Sequence, residues 1–267
     1  MLANFHTHST FCDGKNTPEE IVLAALEKGF ASLGFSGHGY TPFDQRYCMK
    51  DTAGYIAEIK RLKDKYRADI QIYLGVEEDA FATVTREKFD YIIGSSHYYS
   101  LDGKNLPIDS GYEYFKRCLE VFDYDINRMA HIYYSTFCRY ISARRPDIIG
   151  HFDLITKFSE YEPYLFRGNT EYDKIAEKYV YEALKSDPIF EVNTGAITRG
   201  YRTSVYPNEN LLHVLRKEGA RIIIGSDSHA ISTLDGCFAE TKKYLYDVGF
   251  RSSYILYNRE FIPVALQ

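Results

Sequence analysis

Seven short apolar runs punctuate the chain, at residues 2–6, 33–36, 70–75, 91–95, 148–152, 189–193 and 221–225. Most are apolar almost throughout instead of alternating, as expected of parallel strands covered on both faces. Between them lie segments with apolar residues at helical spacing. One opens on Thr17-Pro18-Glu19-Glu20, a capping box with proline at the first helical position, and stops at Gly29. The others span residues 52–66, 112–142, 170–185, 208–218 and 234–248. Strands alternating with helices predict βα units and a parallel sheet, hence an α/β fold. A barrel closes such a sheet without edges; an open, doubly wound sheet is the competing architecture.

Residues 1–267 read as one domain, with no repeat or low-complexity linker dividing them. The stretch 102–146 is longer than an ordinary βα connection and reads as a helical insertion near the barrel mouth. The tail, about residues 250–267, reads as a hairpin turning at Asn258-Arg259, with Pro263 favouring an edge position.

Composition narrows the function more than the fold. Hydrophobic residues make up 45% and charged residues 26%, enough apolar material for one sizeable core. The net charge is −5 and no Lys/Arg block stands out, which argues against a nucleic-acid partner and favours a small-molecule substrate. Some of the 25 Tyr suit a ligand cleft, since tyrosine offers an apolar body with a polar tip. The five cysteines are odd in number, scattered and without a CxxC pair, which fits a reducing cytoplasm. The N-terminus lacks a basic region followed by an apolar run, and no stretch approaches the ~20 apolar residues that span a bilayer. No membrane partner is expected. Oligomeric state is left open.

Chemistry collects at the predicted strand ends. His6 and His8 follow the first strand, His38 the second, Glu77 the third and His97 the fourth; His151 ends the fifth, and Asp227 and His229 follow the seventh. Six of the eight histidines thus fall where parallel barrel strands converge on one mouth. Imidazole and carboxylate together suit Zn, Mn or Fe. Taken singly, each residue has a bland reading: His-x-His is a weak signal, Asp13 can simply open an Asp-Gly turn, and Glu77 has acidic neighbours in Glu78 and Asp79. Taken together they describe a site. His131 and His213 fall inside predicted helices and receive no role, and Cys12 beside Asp13 reads as a bystander thiol.

In order, His6-x-His8, Asp13, Gly37-His38, Gly75-x-Glu77, Ser96-His97, Gly150-His151 and Ser226-Asp227-x-His229 resemble the PHP (polymerase and histidinol phosphatase) family. The segments Gly150-His151-Phe152-Asp153-Leu154-Ile155 and Glu191-Val192-Asn193-Thr194-Gly195 are similar to those of its stand-alone histidinol-phosphate phosphatase branch. The resemblance implies a distorted (β/α)7 barrel with a metal site at the C-terminal strand ends. It implies three divalent ions (Zn, Mn or Fe). His6, His8, Glu77 and Asp227 would hold the first. Glu77 would bridge to the second, with His97 and His151. Asp13, His38 and His229 would hold the third. Some members carry a histidine at the place of Asp13, and the harder carboxylate shifts that site toward Mn or Fe(II). The implied reaction is hydrolysis of histidinol phosphate to histidinol and phosphate, a step of histidine biosynthesis.

Such a reaction needs a nucleophile, and ions that lower the pKa of bound water from 15.7 to about 7 supply one as a bridging hydroxide. It also needs charge around the phosphoryl oxygens. Arg199 follows the sixth strand and has the planar fork for phosphate; Arg202 competes with it, and Arg167 less so. Glu77, Asp227 and Arg199 are the expected catalytic residues, and Asn193, Arg199 and Arg202 the expected substrate contacts. Asp44, Glu160, Glu162 and several tyrosines are candidates for the amine and imidazole of the substrate. The alternatives are a PHP-type phosphodiesterase or exonuclease on nucleotides, and an amidohydrolase-like C–N hydrolase. The acidic balance counts against the first, and the want of a bridging lysine at any strand end against the second.

Overall fold

The computed structural model describes residues 1–101 and 103–267. Seven parallel strands run in strict sequence order: β1 (Leu2–Asn4), β2 (Phe30–Phe35), β3 (Gln71–Asp79), β4 (Tyr91–Ser95), β7 (Ile148–Ile149), β8 (Ile189–Asn193) and β9 (Arg221–Gly225). Past the last residues of β1 and β9, a parallel bridge between Thr7 and Ser228 joins the two ends. The His8 N–H donates to the Ser228 carbonyl (2.8 Å) and the Ser228 N–H to that of His6 (3.1 Å). Sequential order with joined ends makes a barrel, distorted because the closing contact is confined to the mouth; the open doubly wound sheet is excluded.

Helices cover the outside. They are α1 (Pro18–Glu27), α2 (Thr52–Lys65), α3 (Tyr112–Val121), α4 (Ile126–Arg144), α6 (Thr170–Leu184), α8 (Glu209–Lys217) and α9 (Phe238–Val248), with the single turns α5 (Pro163–Phe166) and α7 (Gly195–Thr198) between them. The capping box is present: Thr17 accepts from the Glu20 N–H, and Glu20 accepts from the Thr17 N–H. The insertion differs from expectation. Its first residue, Asp102, lies outside the described residues; its first strand, β6 (Lys104–Pro107), pairs antiparallel with β5 (Tyr98–Leu101), which lies just ahead of the insertion. The single helix expected over 112–142 is broken into α3 and α4. Asp123 and Tyr124 take positive φ (53° and 61°), and Asp125 caps α4 by accepting from the Asn127 and Arg128 N–H groups. α4 packs on α6 in the outer layer, and among the described residues of this region only Asp109 and Ser110 line the cleft at the mouth.

The barrel interior is filled from two directions. Ala3, Phe5, Tyr73, Tyr91, Ile93, Ile148, Ile189 and Ile223 point inward. The Tyr91 hydroxyl crosses the lumen to donate to the Phe5 and Phe35 carbonyls (2.5 and 3.1 Å). It has room because Gly75 faces it: a Cβ there would lie 2.2 Å from the tyrosine ring. From below, the tail hairpin β10 (Ser252–Tyr257) and β11 (Glu260–Ala265) turns at Asn258 and Arg259, both at positive φ, as a two-residue hairpin loop requires. β10 pairs with β9, Pro263 sits in the outer strand β11, and Ile255 and Leu256 plug the lumen. Leu256→Ala is therefore expected to lower the unfolding free energy by about 2–4 kcal/mol, read from urea melts; a cost near zero would show that the hairpin does not fill the barrel.

Candidate metal centre

The polar ends of the strands turn inward at the mouth, and the local reason differs at each. β1 stops at Asn4 because that side chain takes over the ladder: its amide contacts Ser226 Oγ (2.7 Å) and the Leu234 carbonyl (3.1 Å), and its oxygen accepts from the His6 N–H (3.1 Å). His6 and His8 are thereby released toward the lumen. β3 runs on through Glu77, paired with β4 from Gly75 to Asp79, so Glu77 stands on a strand and not on a loop. β7 ends early because the His151 N–H donates to the Glu191 carboxylate (3.0 Å) instead of to a strand.

Glu77 is the hub. Its Oε2 lies 3.4 Å from His6 Nε2, 3.6 Å from His8 Nε2 and 2.8 Å from His38 Nδ1. Its Oε1 lies 3.5 Å from His97 Nε2 and 3.0 Å from His151 Nε2. Asp227 Oδ1 is 3.2 Å from His8 Nε2 and 3.7 Å from His6 Nε2. Asp13 faces His38 Nε2 (3.6 Å), His229 Nε2 (3.3 Å) and His8 Nδ1 (3.8 Å). A tetrahedral ion about 2.1 Å from its ligands separates them by about 3.4 Å, close to most of these spacings. His6 Nε2, His8 Nε2 and Glu77 Oε2 are buried without a hydrogen-bond partner, as atoms meant for an ion would be. The residues fit divalent metal.

Electrostatics prepares them. Burial works to raise the Glu77 carboxyl, but His38, His6 and His97 outweigh it and hold it well below the usual carboxylate range. Burial is likewise outweighed at Asp227, first by Arg199 and then by His6. Burial, His229 and His38 push His8 down to about 3, so its ring is neutral and its lone pair free at neutral pH. Burial would lower His97, yet Glu77 and Asp79 bring it up to about 10. Asp227 itself has a positive φ of 48°, and Arg199 clamps it there, donating to its carbonyl and its carboxylate (2.7 Å each).

The PHP domain model matches residues 4–195, a span that holds His6, His8, Asp13, His38, Glu77, His97 and His151. This chain belongs to the PHP family. A histidinol-phosphatase of Bacillus subtilis is 26% identical over 84% of this chain and 92% of its own length. A protein of Schizosaccharomyces pombe named "Probable histidinol-phosphatase" is 26% identical over 94% of this chain and 88% of its own. The crystal structure of histidinol phosphate phosphatase from Lactococcus lactis, solved with zinc, L-histidinol and phosphate, superposes with a TM-score of 0.72 at 18% identity, covering 97% of this chain and 98% of that one. At that identity the likeness speaks for the fold.

All nine residues expected as ligands in this PHP chain meet at the mouth, in four overlapping groups whose ligand atoms lie within 4.8 Å of one another. The expected substrate contacts fare differently. Arg199 lines the cleft of about 390 Å³ above the cluster. Asn193 does not: it is fully buried, its amide donating to Glu191 (2.9 Å) and its oxygen accepting from the Gly195 N–H (2.8 Å). Arg202 faces a neighbouring cavity, as do Arg167 and Glu160, because the backbone turns between Tyr201 and Arg202. Glu162 lines neither and bonds to Tyr112; Asp44 is on the cleft wall. His131 bonds to Tyr179 and His213 is exposed beside Glu209.

Three further residues carry weight. Lys157 lines the cleft, its Nζ 2.8 Å from the Asp109 carbonyl. Asp79 accepts from both the N–H and the ring Nδ1 of His97 (3.0 and 3.1 Å). Glu191 accepts from His6 Nδ1 (2.7 Å), which leaves Nε2 to face the cluster. Gly225 makes room for it, since a Cβ there would lie 2.0 Å from the carboxylate. A polar Glu inside an apolar strand, in Phe190-Glu191-Val192, was the available signal. Glu191→Gln is expected to weaken divalent-metal binding about 10–100-fold, measured by competition with a chromogenic chelator; unchanged affinity would deny Glu191 any hold on His6.

Proposed function

We propose that this PHP protein hydrolyses histidinol phosphate to histidinol and phosphate. The observation that carries the reading is the buried Glu77 ringed by five imidazoles beneath an open cleft that bears Arg199 and Lys157. The named activity of the relatives, and the zinc, histidinol and phosphate in the Lactococcus protein, supply the substrate.

On this reading three divalent ions are held. His6, His8, Glu77 and Asp227 take the first; Glu77, His97 and His151 the second; Asp13, His38 and His229 the third. Zinc is favoured by the Lactococcus structure, with Mn or Fe the alternatives that a mixed imidazole and carboxylate set accepts. When bound, such ions lower the pKa of water and offset charge on phosphoryl oxygens.

The protein does the rest. Glu77 and Asp227, held ionised by their surroundings, keep the cluster charged for cation binding at neutral pH. Glu191 and Asp79 fix the rings of His6 and His97. Arg199 spends two donors on Asp227 and, on the cleft wall, can turn its remaining N–H groups to the phosphoryl oxygens. Lys157 adds a second positive charge on the same wall. Asp44 and Asp109, also on the cleft wall, offer acceptors to an amine or imidazole.

Protein loaded with Zn, Mn or Fe(II) is expected to release phosphate from histidinol phosphate and far less from a dinucleotide. Failure with all three metals would overturn the proposal. Removing the metals with a strong chelator should abolish turnover and lower Tm, and restoring them should recover both. Arg199→Ala should lower kcat/KM at least about tenfold, or ~1.4 kcal/mol of transition-state stabilisation; an unaltered value would take Arg199 out of the reaction.

A further inference from the structure

A second cavity, of about 890 Å³, opens beside the metal cleft and shares no lining residue with it. The volume is in the range of organic-ligand sites, about 300–1,000 Å³. The wall between the two is the segment after β8. Arg199 and Tyr201 line the cleft over the clustered His, Asp and Glu side chains, whereas Ile197 and Arg202 line the other cavity.

Arg202 forms the floor and is only 6% exposed. Its Nη1 donates to Thr156 Oγ1 (2.5 Å) and its Nη2 to Ser204 Oγ (2.9 Å), both neutral hydroxyls, while its Nε has no partner. The guanidinium lies over the Tyr206 ring, 4.6 Å from its centroid. No carboxylate oxygen among the described residues is within 4.0 Å of it. Asp153 lies behind, its Oδ2 accepting from the Asn208 N–H (3.0 Å) and from Thr156 Oγ1 (3.4 Å), so it reaches the guanidinium only through that hydroxyl. A buried guanidinium without a direct ion-pair partner is costly, and an anion in the cavity would relieve that cost.

The rim has the opposite sign. Glu160, Asp173, Glu209 and Glu240 stand around the opening, against Arg167 alone. Such a rim repels a multiply charged anion and attracts an ammonium group. Between floor and rim run the apolar faces of Phe166, Tyr172, Ile197, Val205 and Tyr244. A molecule that satisfies all three layers carries one carboxylate, one amine and an apolar body.

We infer that this cavity binds an amino-acid-type zwitterion, with its carboxylate on Arg202, its ammonium toward the rim acids and its side chain along the Tyr172 and Tyr244 wall.

The test is thermal melting of the metal-replete protein against each common L-amino acid at about 10 mM, with calorimetry on the best one. At least one amino acid should raise Tm by about 2 °C or more. The matching amine without a carboxylate, and the matching acid without an amine, should each lose most of that shift. Arg202→Met should abolish it. Should that variant fail to fold, the exposed pair Glu209→Gln with Glu240→Gln should weaken binding at least threefold, a change of about 0.65 kcal/mol. No shift with any amino acid, equal shifts from the amine or the acid alone, or a shift that survives the substitutions would each overturn the site.

Discussion

One buried carboxylate sets the terms for the rest of this structure. Glu77 is 1% exposed, and five histidine rings approach it between 2.8 and 3.6 Å. An ionised carboxylate so deep is tolerated only when charge surrounds it. The rings lower its pKa; its charge in turn raises that of His97 and, after the larger effect of Glu191, that of His6. Imidazoles alone leave His6 Nε2, His8 Nε2 and Glu77 Oε2 buried without hydrogen-bond partners, and divalent cations would engage them. The outer carboxylates follow from the same logic. Glu191 and Asp79 each grip the far nitrogen of a ring, so the nitrogen facing the cluster has one role.

The barrel exists to deliver these groups to one place. His6 and Asp227 come from opposite ends of the chain and are 3.7 Å apart only because the ends of β1 and β9 are stitched through Thr7 and Ser228. Asn4 makes that possible by satisfying backbone and side-chain groups of the neighbouring strand ends, which a regular ladder would have left to β1 itself. Below, the lumen is filled with Tyr91 and the hairpin side chains, so the mouth is the open end. A packed floor under a polar rim keeps the clustered side chains on short, stiff connections, which is what a metal cluster would demand of its scaffold.

What could be read from the sequence was whatever depends on strand ends. The seven strands and eight of the nine clustered residues follow from apolar runs that stop at His, Asp or Glu, because parallel strands must place their ends together, whereas Asp13 came only with the family resemblance. What could not be read depends on backbone turns after the strands. Asn193 ends β8, yet its side chain is consumed by Glu191 and Gly195. Arg199 and Arg202 are three residues apart in the sequence, but α7 and the turn after it send them to different cavities. The break between α3 and α4 hides in residues that carry no Gly or Pro, with Asp123 and Tyr124 taking the left-handed backbone that glycine usually supplies. Lys157 had no strand-end pattern to announce it.

Arg199 joins the two halves of the site. Asp227 takes a backbone conformation that non-glycine residues seldom adopt, and a donor to both its carbonyl and its carboxylate holds it there. That donor is also a planar cation of the cleft wall. A single side chain therefore couples the orientation of a cluster carboxylate to the presence of an anion above it: a phosphoryl group competing for the guanidinium would loosen its grip on Asp227. Lys157, whose Nζ is spent on Asp109, has no such tie to the ligands. Of Arg199 and Lys157, Arg199 is thus the one bonded directly to a carboxylate of the cluster.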